Sequence, residues 1–455
     1  MGVAVADINF AAVVPYLIAV VAGLFASIGV AIGYVSLLAM DPQKVSWGAL
    51  LVIVGCAGGM AVLPGGGLLF TYIFVVYALI CACKLLCLQC CADSTTMAIV
   101  NASTEYIAKT RRVVLVPMAY QTANLCITIP AFLGMAAIAT LAKPATVYNV
   151  KYEVWDRRLA PDALVGAFEF FMVVGAYFLN MFMQYKLFFI MSCSVTSYYF
   201  SSSKAASGTA EVMGSITSSF KHIGSFAYGA FLMTLIFILQ LLEKMLERAL
   251  EQQARSESTE GGAKIAIALC LCYLKCCVAT CLKCMEEVVD KLNKAAFSYM
   301  AITGDDFCTA GKNGFLLFFK HVFHLLLVDF VIGVIQVCGV LCISAVSTLI
   351  GAALSWVIVP NKDLAILPTF IVFGLSLLVA AQFLQVMESA VYQLLLCMAI
   401  DKELNGGSCQ FGPPTFHEEI EKYESANGHL LAGAPAGTAE GAPPGPPPPG
   451  YAPPG

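Results

Sequence analysis

DFVIGVIQVCGVLCISAVSTLIGAALSWVIVPNK, residues 329–362, holds 32 residues between Asp329 and Lys362 without one charge. A helix needs about 20 apolar residues to cross roughly 30 Å of hydrocarbon, so this stretch is long enough to span a bilayer. It shows no alternation of period two, which excludes a strand of a transmembrane barrel. The pattern recurs along the chain. Asp7 to Asp41 encloses 33 uncharged residues, Arg112 to Lys143 encloses 30 and Asp363 to Glu388 encloses 24. Lys44 to Lys84 encloses 39, interrupted by Pro64 and Gly65 to Gly67, a turn signal that splits the run into two helices. The first run has no basic n-region and is too long to read as a cleavable signal peptide.

Composition agrees. Of 455 residues, 59% are hydrophobic and 12% charged, against about 25% charged in soluble domains. A water-soluble enzyme of this size could not hide so much apolar surface. The net charge of -4 offers no basic field for nucleic acid. The fold class expected is an all-α polytopic membrane protein with amphipathic interfacial helices. Spans fall at 13–39, 46–63, 68–90, 113–141, 163–198, 223–246, 265–284, 322–350 and 365–399. Their number is nine, or eight if 265–284 lies in the interface, because that segment contains or abuts Lys264, Lys275 and Lys283. Residues 93–110 read as a surface or re-entrant helix. With nine spans and the C-terminus inside, fifteen of the 25 basic residues fall on the inner side and nine on the outer, Lys186 being assigned to neither; this bias favours that orientation. The organisation expected is a short N-terminal segment 1–12, a membrane domain 13–405 and a disordered Pro/Gly-rich tail 406–455. That tail reads either as a ligand for an SH3- or WW-type domain or as an inert extension.

The 19 cysteines cluster at 81–91 and 270–284. Cys87-x2-Cys90 and Cys281-x2-Cys284 resemble zinc half-sites, but no histidine lies near and both sit on helical patterns. Plain packing, S-acylation beside lysines and metal ligation are the readings, in that order. No metal and no cofactor is expected. Asn101-Ala102-Ser103 is a glycosylation triplet that the expected topology places inside.

Ionisable residues within spans point to function, because each costs a few kcal/mol unless solvated or paired. Glu169, Asp329 and Glu388 stand out in spans, and Lys186, the base read as matching them there, is taken to snorkel. An interior with net negative potential suits a cationic solute. Glu169, Tyr177, Asn180 and Gln184 fall within about 80° of one helix face at 100° per residue. Gln382, Gln385, Ser389, Tyr392 and Gln393 make a similar stripe on the last span. Interhelical hydrogen bonds, about 0.6–2 kcal/mol each, would account for any one of these residues; two stripes with acids favour a solute pathway.

Three stretches carry a family resemblance: FKHIGSFAYGAF (220–231), leading towards LLEKMLERAL; YLKCCVATCLKCMEEVVDKLNKAAFSYMAITGDDFCTAGKNGF (273–315); and AVYQLLLCMAIDKELNGG (390–407). With weaker similarity over 8–200, the chain resembles the choline transporter-like family of solute carriers. The resemblance implies ten spans with both termini inside, and a first helix followed by a large extracellular domain. The expectation for this chain is that its first helix matches the family's second and that both of those features are lacking. The IDKELNGG ending departs from the family's more acidic, Asn-Asp-Gly-containing one. The resemblance also implies transport of choline or an ethanolamine-like cation by alternating access, with a titrating carboxylate available to couple proton counterflow, and the plasma membrane as the location, an intracellular membrane being the alternative.

A quaternary ammonium cannot donate a hydrogen bond, so its site needs aromatic faces and a negative field. Phe170, Tyr177, Tyr228 and Tyr392 are the cage candidates. Glu169 and Glu388 are the charges, and Asn180, Gln184 and Gln385 are polar partners beside them. Other classes fit less well. A channel would need repeated rings of charge or carbonyls. A membrane enzyme would need clustered ligands, and His321-x2-His324 has no evident third; the chain is expected not to be an enzyme. A non-transporting scaffold recruiting partners through its Pro-rich tail is the strongest rival.

Overall fold

The computed structural model describes residues 10–418 apart from 39–41, 63–66, 92–93, 141–142, 150–153, 161–162, 255–260, 321, 360–363 and 407–408. Residues 1–9 of the expected N-terminal segment, most of the expected tail, and the side chains of His321, His324, Cys87 and Cys90 lie outside the described residues. Among the described residues, nine helices are long and apolar enough to cross a membrane: Val14–Leu38, Lys44–Ala61, Leu69–Leu86, Arg112–Ile138, Leu164–Ser201, Val212–Ala254, Ala266–Thr303, Val328–Ile358 and Ile366–Leu404. The protein is an all-α, multi-pass integral membrane protein.

Several elements differ from the sequence reading. The doubtful segment 265–284 is the first half of a continuous helical span running to Thr303, because its later charges gather on one face rather than ending the helix. Residues 93–110 form a helix, α4 (Ser94–Lys109), that is not a surface element: Ile99, Val100, Ser103 and Tyr106 are buried. The loop 142–161 carries an antiparallel hairpin, β1 (Lys143–Asn149) and β2 (Val154–Ala160), with Lys143 opposite Ala160 and Asn149 opposite Val154.

The chain divides into two units. The first comprises residues 1–118, 191–212 and 317–455. In it α12 (Val322–Ile358) packs on α1 (Phe10–Leu38), α2 (Pro42–Val62), α3 (Gly67–Cys91) and α13 (Ile366–Leu404). Lipid is as apolar as leucine, so helices in it hold together by close packing over small residues. Val372 is the knob here. A Cβ on Gly351 would lie 2.7 Å from its Cγ1, and one on Gly23 would overlap the same side chain. Two glycines on α12 and α1 thus make the hole that the α13 valine fills.

The end of α13 is fixed by a buried carboxylate. Asp401 accepts hydrogen bonds from the Tyr199 hydroxyl (3.0 Å), Asn405 Nδ2 (2.6 Å) and the backbone N–H groups of Gln410 (3.0 Å) and Phe411 (3.1 Å). These bonds bring the chain back over the last turn, and the segment read as tail from 406 begins instead with a packed strap. Gly412 adopts φ +108°, open to glycine at little cost, and donates to the Tyr199 carbonyl at 3.2 Å. Phe416 is buried and Phe411 meets Phe200 edge-on. Thr415 donates to Glu105, which also accepts from Ser207 and pairs with Lys109 at 2.8 Å. Burial alone would raise the Glu105 carboxyl, but the hydrogen bonds from Lys109, Ser207 and Thr415 outweigh it and hold the group below the usual carboxylate range. A carboxyl depressed on folding contributes stability above its unfolded value, and that contribution is lost as pH falls through the folded value.

The second unit comprises residues 119–190 and 213–316. It holds most of α5 (Leu115–Ala139), α6 (Ala163–Ser201) as far as Ile190, α7 (Val212–Ser219), α8 (Ile223–Ala254), α9 (Gly261–Tyr273), α10 (Ala279–Thr303) and α11 (Phe307–Lys320) as far as Leu316. A single π turn, Leu274–Val278, joins α9 to α10 without a break. Gly304, at φ +75°, ends α10 by donating to the Met300 carbonyl. Asp306 then caps α11, accepting from the Thr309 hydroxyl (2.8 Å) and the N–H groups of Cys308 and Thr309.

Two outcomes follow from the first unit. Gly351→Ala should cost about 1–3 kcal/mol by overpacking, read as a lowered Tm of the purified protein. Val372→Ala on that background should restore part of it. Asp401→Ala should leave the Gln410 and Phe411 amides without an acceptor, so their hydrogen exchange should quicken by roughly tenfold or more.

Candidate functional site

The polar residues of the second unit converge on one face of α10. Glu286, Asp290 and Asn293 stand at i, i+4 and i+7, spacing that stacks them along a single stripe. Each meets a partner from α6 or α8. The Tyr185 hydroxyl donates to Asp290 Oδ1 at 3.0 Å and accepts from Asn293 Nδ2 at 3.1 Å. Asn293 also donates to the Gly229 carbonyl at 3.3 Å. Gln240 Nε2 donates to Glu286 Oε2 at 2.7 Å, and Lys294 pairs with Asp290 Oδ2 at 3.1 Å.

Aromatic faces surround this stripe. Tyr177 stacks on Phe237, centroids 4.0 Å apart and planes within 7°. Glu286 and Asp290 both act electrostatically on the Tyr177 hydroxyl. Tyr185 lies 5.1 Å from Phe297, which also contacts Phe226 and Phe307. Gly229 permits the approach: a Cβ there would meet Phe297 Cζ at 2.8 Å. Two half-buried acids are therefore held on α10 by hydroxyl and amide donors, and Asp290 also by Lys294. The cluster has net negative charge and aromatic walls, the two requirements for holding an organic cation.

Of the residues singled out from sequence, six fall in this unit. Tyr177 belongs to the cluster. Glu169 and Phe170 are half-buried on α6, Glu169 without a hydrogen bond or ion pair among the described residues. Asn180 is half-buried one turn from Tyr177. Gln184 lines a separate small pocket with Tyr120 and Asn124. Tyr228 is half-exposed against Phe307 at 5.4 Å. The other three, Gln385, Glu388 and Tyr392, fall on α13 in the first unit. Glu388 Oε2 there accepts from Gln336 Nε2 of α12 at 2.9 Å, the interhelical bond that sequence left as the plain reading, and Tyr392 is buried in the packing.

Glu286, Asp290, Asn293, Tyr185, Gln240 and Phe237 were missed. The signal was present. Ending the seventh span at 284 cut the helix just before its polar stripe, and the spacing test applied to α6 would have found 286, 290 and 293 had the helix been carried to Thr303.

The sequence profile of a family described as plasma-membrane choline transporter matches residues 69–403, well over half of the chain. Among curated proteins, choline transporter-like protein 1 of Rattus norvegicus is 29% identical over 230 residues, 48% of this chain and 33% of the relative. Choline transporter-like protein 3 of Homo sapiens is 28% identical over 234 residues, 49% of this chain and 33% of the relative. Choline transporter-like protein 4 of Danio rerio is 29% identical over 206 residues, 42% and 26% respectively. The chain thus aligns with about a third or less of the length of these relatives. Both stretches quoted above from within 220–315 lie inside the matched region, as do all the residues of the α6–α8–α10 cluster, and on that match the chain belongs to the choline transporter-like family.

Proposed function

We propose that this protein moves choline, or a closely related organic cation such as ethanolamine, across a membrane by alternating access, without changing it chemically. The observation that carries the reading is the pair of carboxylates on α10, Glu286 and Asp290, set among Tyr177, Phe237 and Tyr185. The names of the relatives support choline as the solute, and the family description supports the plasma membrane as the location.

The chemistry fits this reading. The trimethylammonium group of choline offers no N–H, so carboxylates can serve it only through their field, while aromatic faces add about 0.5–2 kcal/mol each. Asp290 meets both demands of a reversible site. Its charge is compensated by Tyr185 and Lys294 when empty, so the site does not collapse. Lys294 is tethered four residues away and can yield its share of the field to an arriving cation. The acids also offer a route for coupling. A cation that displaces a proton from one carboxylate and is released as the proton returns would be driven by a proton gradient running the other way.

The test is uptake of labelled choline into vesicles holding the full chain. Saturable uptake is expected. Asp290→Asn keeps the shape and hydrogen bond but removes the charge, and should cut uptake at least tenfold with unchanged protein level. Uptake equal to the parent's in both Asp290→Asn and Glu286→Gln would sink the assignment of the site. Phe237→Leu should raise the KM for choline roughly five- to thirtyfold, the loss of about 1–2 kcal/mol from one aromatic face. Glu169→Gln, which removes an acid outside the cluster, should depress uptake less than Asp290→Asn.

A further inference from the structure

We propose that Thr415 is a phosphorylation site, and that a phosphate there releases the strap 409–418 from the end of α13. This stands apart from the transport reading. The donor is ATP, used by a protein kinase that selects acidic residues after its target. Thr415 Oγ1 forms the new bond to the γ-phosphorus, the bond from that phosphorus to the β-bridging oxygen breaks, ADP leaves, and the hydroxyl proton passes to the kinase's base.

Three segments meet at this hydroxyl. Thr415 of the strap donates to Glu105 Oε2 on α4, and Ser207 donates to Glu105 Oε1 at 2.6 Å. Lys109 pairs with the same Oε1 at 2.8 Å and also donates to Ser207. The charges of Glu105 and Lys109 therefore offset each other, and Thr415 is neutral. A phosphate would replace the Thr415 donor by acceptor oxygens carrying roughly −1.5 to −2 charges, beside a carboxylate whose lysine is already engaged. Like charge and the lost O–H both work against the closed strap.

The strap is built to give way. It is held by the Gln410 and Phe411 amides on Asp401, the Gly412 amide on the Tyr199 carbonyl and Thr415 on Glu105. Its buried side chain Phe416 meets the Tyr199 ring edge-on, centroids 6.3 Å apart. Thr415 is half-buried, so a kinase reaches it when the strap lifts. A segment held by a few such bonds opens more readily than a packed span, and the phosphate then keeps it from closing.

The sequence supplies what the kinase reads. Thr415-Phe416-His417-Glu418-Glu419 places acids three and four residues after the hydroxyl, and Glu421 and Glu424 follow. Such a run suits a kinase with a basic substrate groove. The side of the membrane is also consistent. α4, the 202–212 segment and the strap follow the third, fifth and ninth spans, so all three lie on one side. The bias of basic residues makes that the inner side, where ATP is.

The experiment incubates the purified full chain with ATP and a kinase of the class that requires an acid three residues after its target. Mass spectrometry should find phosphate on Thr415. Hydrogen exchange of the Gln410, Phe411 and Gly412 amides should quicken roughly tenfold or more in the phosphorylated chain. Glu418→Gln with Glu419→Gln should cut incorporation at Thr415 roughly tenfold and leave those amides as protected as in the parent. Glu105→Gln keeps an acceptor and removes the charge, so phosphate should quicken exchange less there than in the parent. In Thr415→Val, kinase treatment should change exchange at those amides not at all. Absence of phosphate from Thr415, phosphate there with exchange unchanged or slowed, or the same quickening by kinase in Thr415→Val would overturn the proposal.

Discussion

Charge taken partly out of water has to be compensated where it stands, and the α6–α8–α10 cluster of the second unit is organised by that requirement. Asp290 and Glu286 sit half-buried on α10 with Tyr185, Gln240 and Lys294 meeting their oxygens. Tyr185 can reach Asp290 because Asn293 fixes its hydroxyl from the other side, and Asn293 is itself anchored on the Gly229 carbonyl. Gly229 in turn is where α8 lacks a side chain, so that Phe297 can close in. Remove any link and a half-buried polar group loses its partner. The same chain of partners that makes the acids tolerable leaves them negative overall, which is the property a cation site needs.

The first unit shows the complementary solution. Its helices meet over glycine, with Val372 seated against Gly23 and Gly351, and over small polar groups satisfied within their own helices, such as the Thr348 hydroxyl on the Ser344 carbonyl. Its buried carboxylate, Asp401, is spent on structure: four donors surround it and two come from the strap that folds back behind it. Asp401 and Asp290 are both acids bonded by a tyrosine. They differ in what else is near. Asp401 is closed in by backbone N–H groups, which leave only with the strap as a whole, whereas Asp290 is partnered by a lysine side chain, which moves on its own.

The spans were legible in the chain because hydropathy and charge are local quantities, summed over a window without knowing the fold. α12 and α13 could be read almost to their ends on that basis. The stripe of Tyr177, Asn180 and Gln184 was legible too, since helical spacing alone puts them on one face. What it faced was not. Gln184 turned to the Tyr120–Asn124 pocket while Tyr177 joined Glu286 and Asp290, because neighbours on α5, α8 and α10 decide which part of a stripe belongs to which site. Glu388 looked equivalent to Glu169 in sequence; Gln336, 52 residues away, makes it half of an interhelical bond. The strap was hidden for the same reason, since its bonds to Tyr199 and Glu105 join residues about 200 and 300 positions apart.

Sequence by itself thus determined that the chain lives in a membrane, roughly where it crosses, and which family it resembles, because burial in lipid is a property of each segment on its own. Only the tertiary structure decided which polar residues partner one another and which gather on one face of α10. That outcome depends on distances of about 3 Å between side chains remote in sequence, and no window along the chain contains both partners.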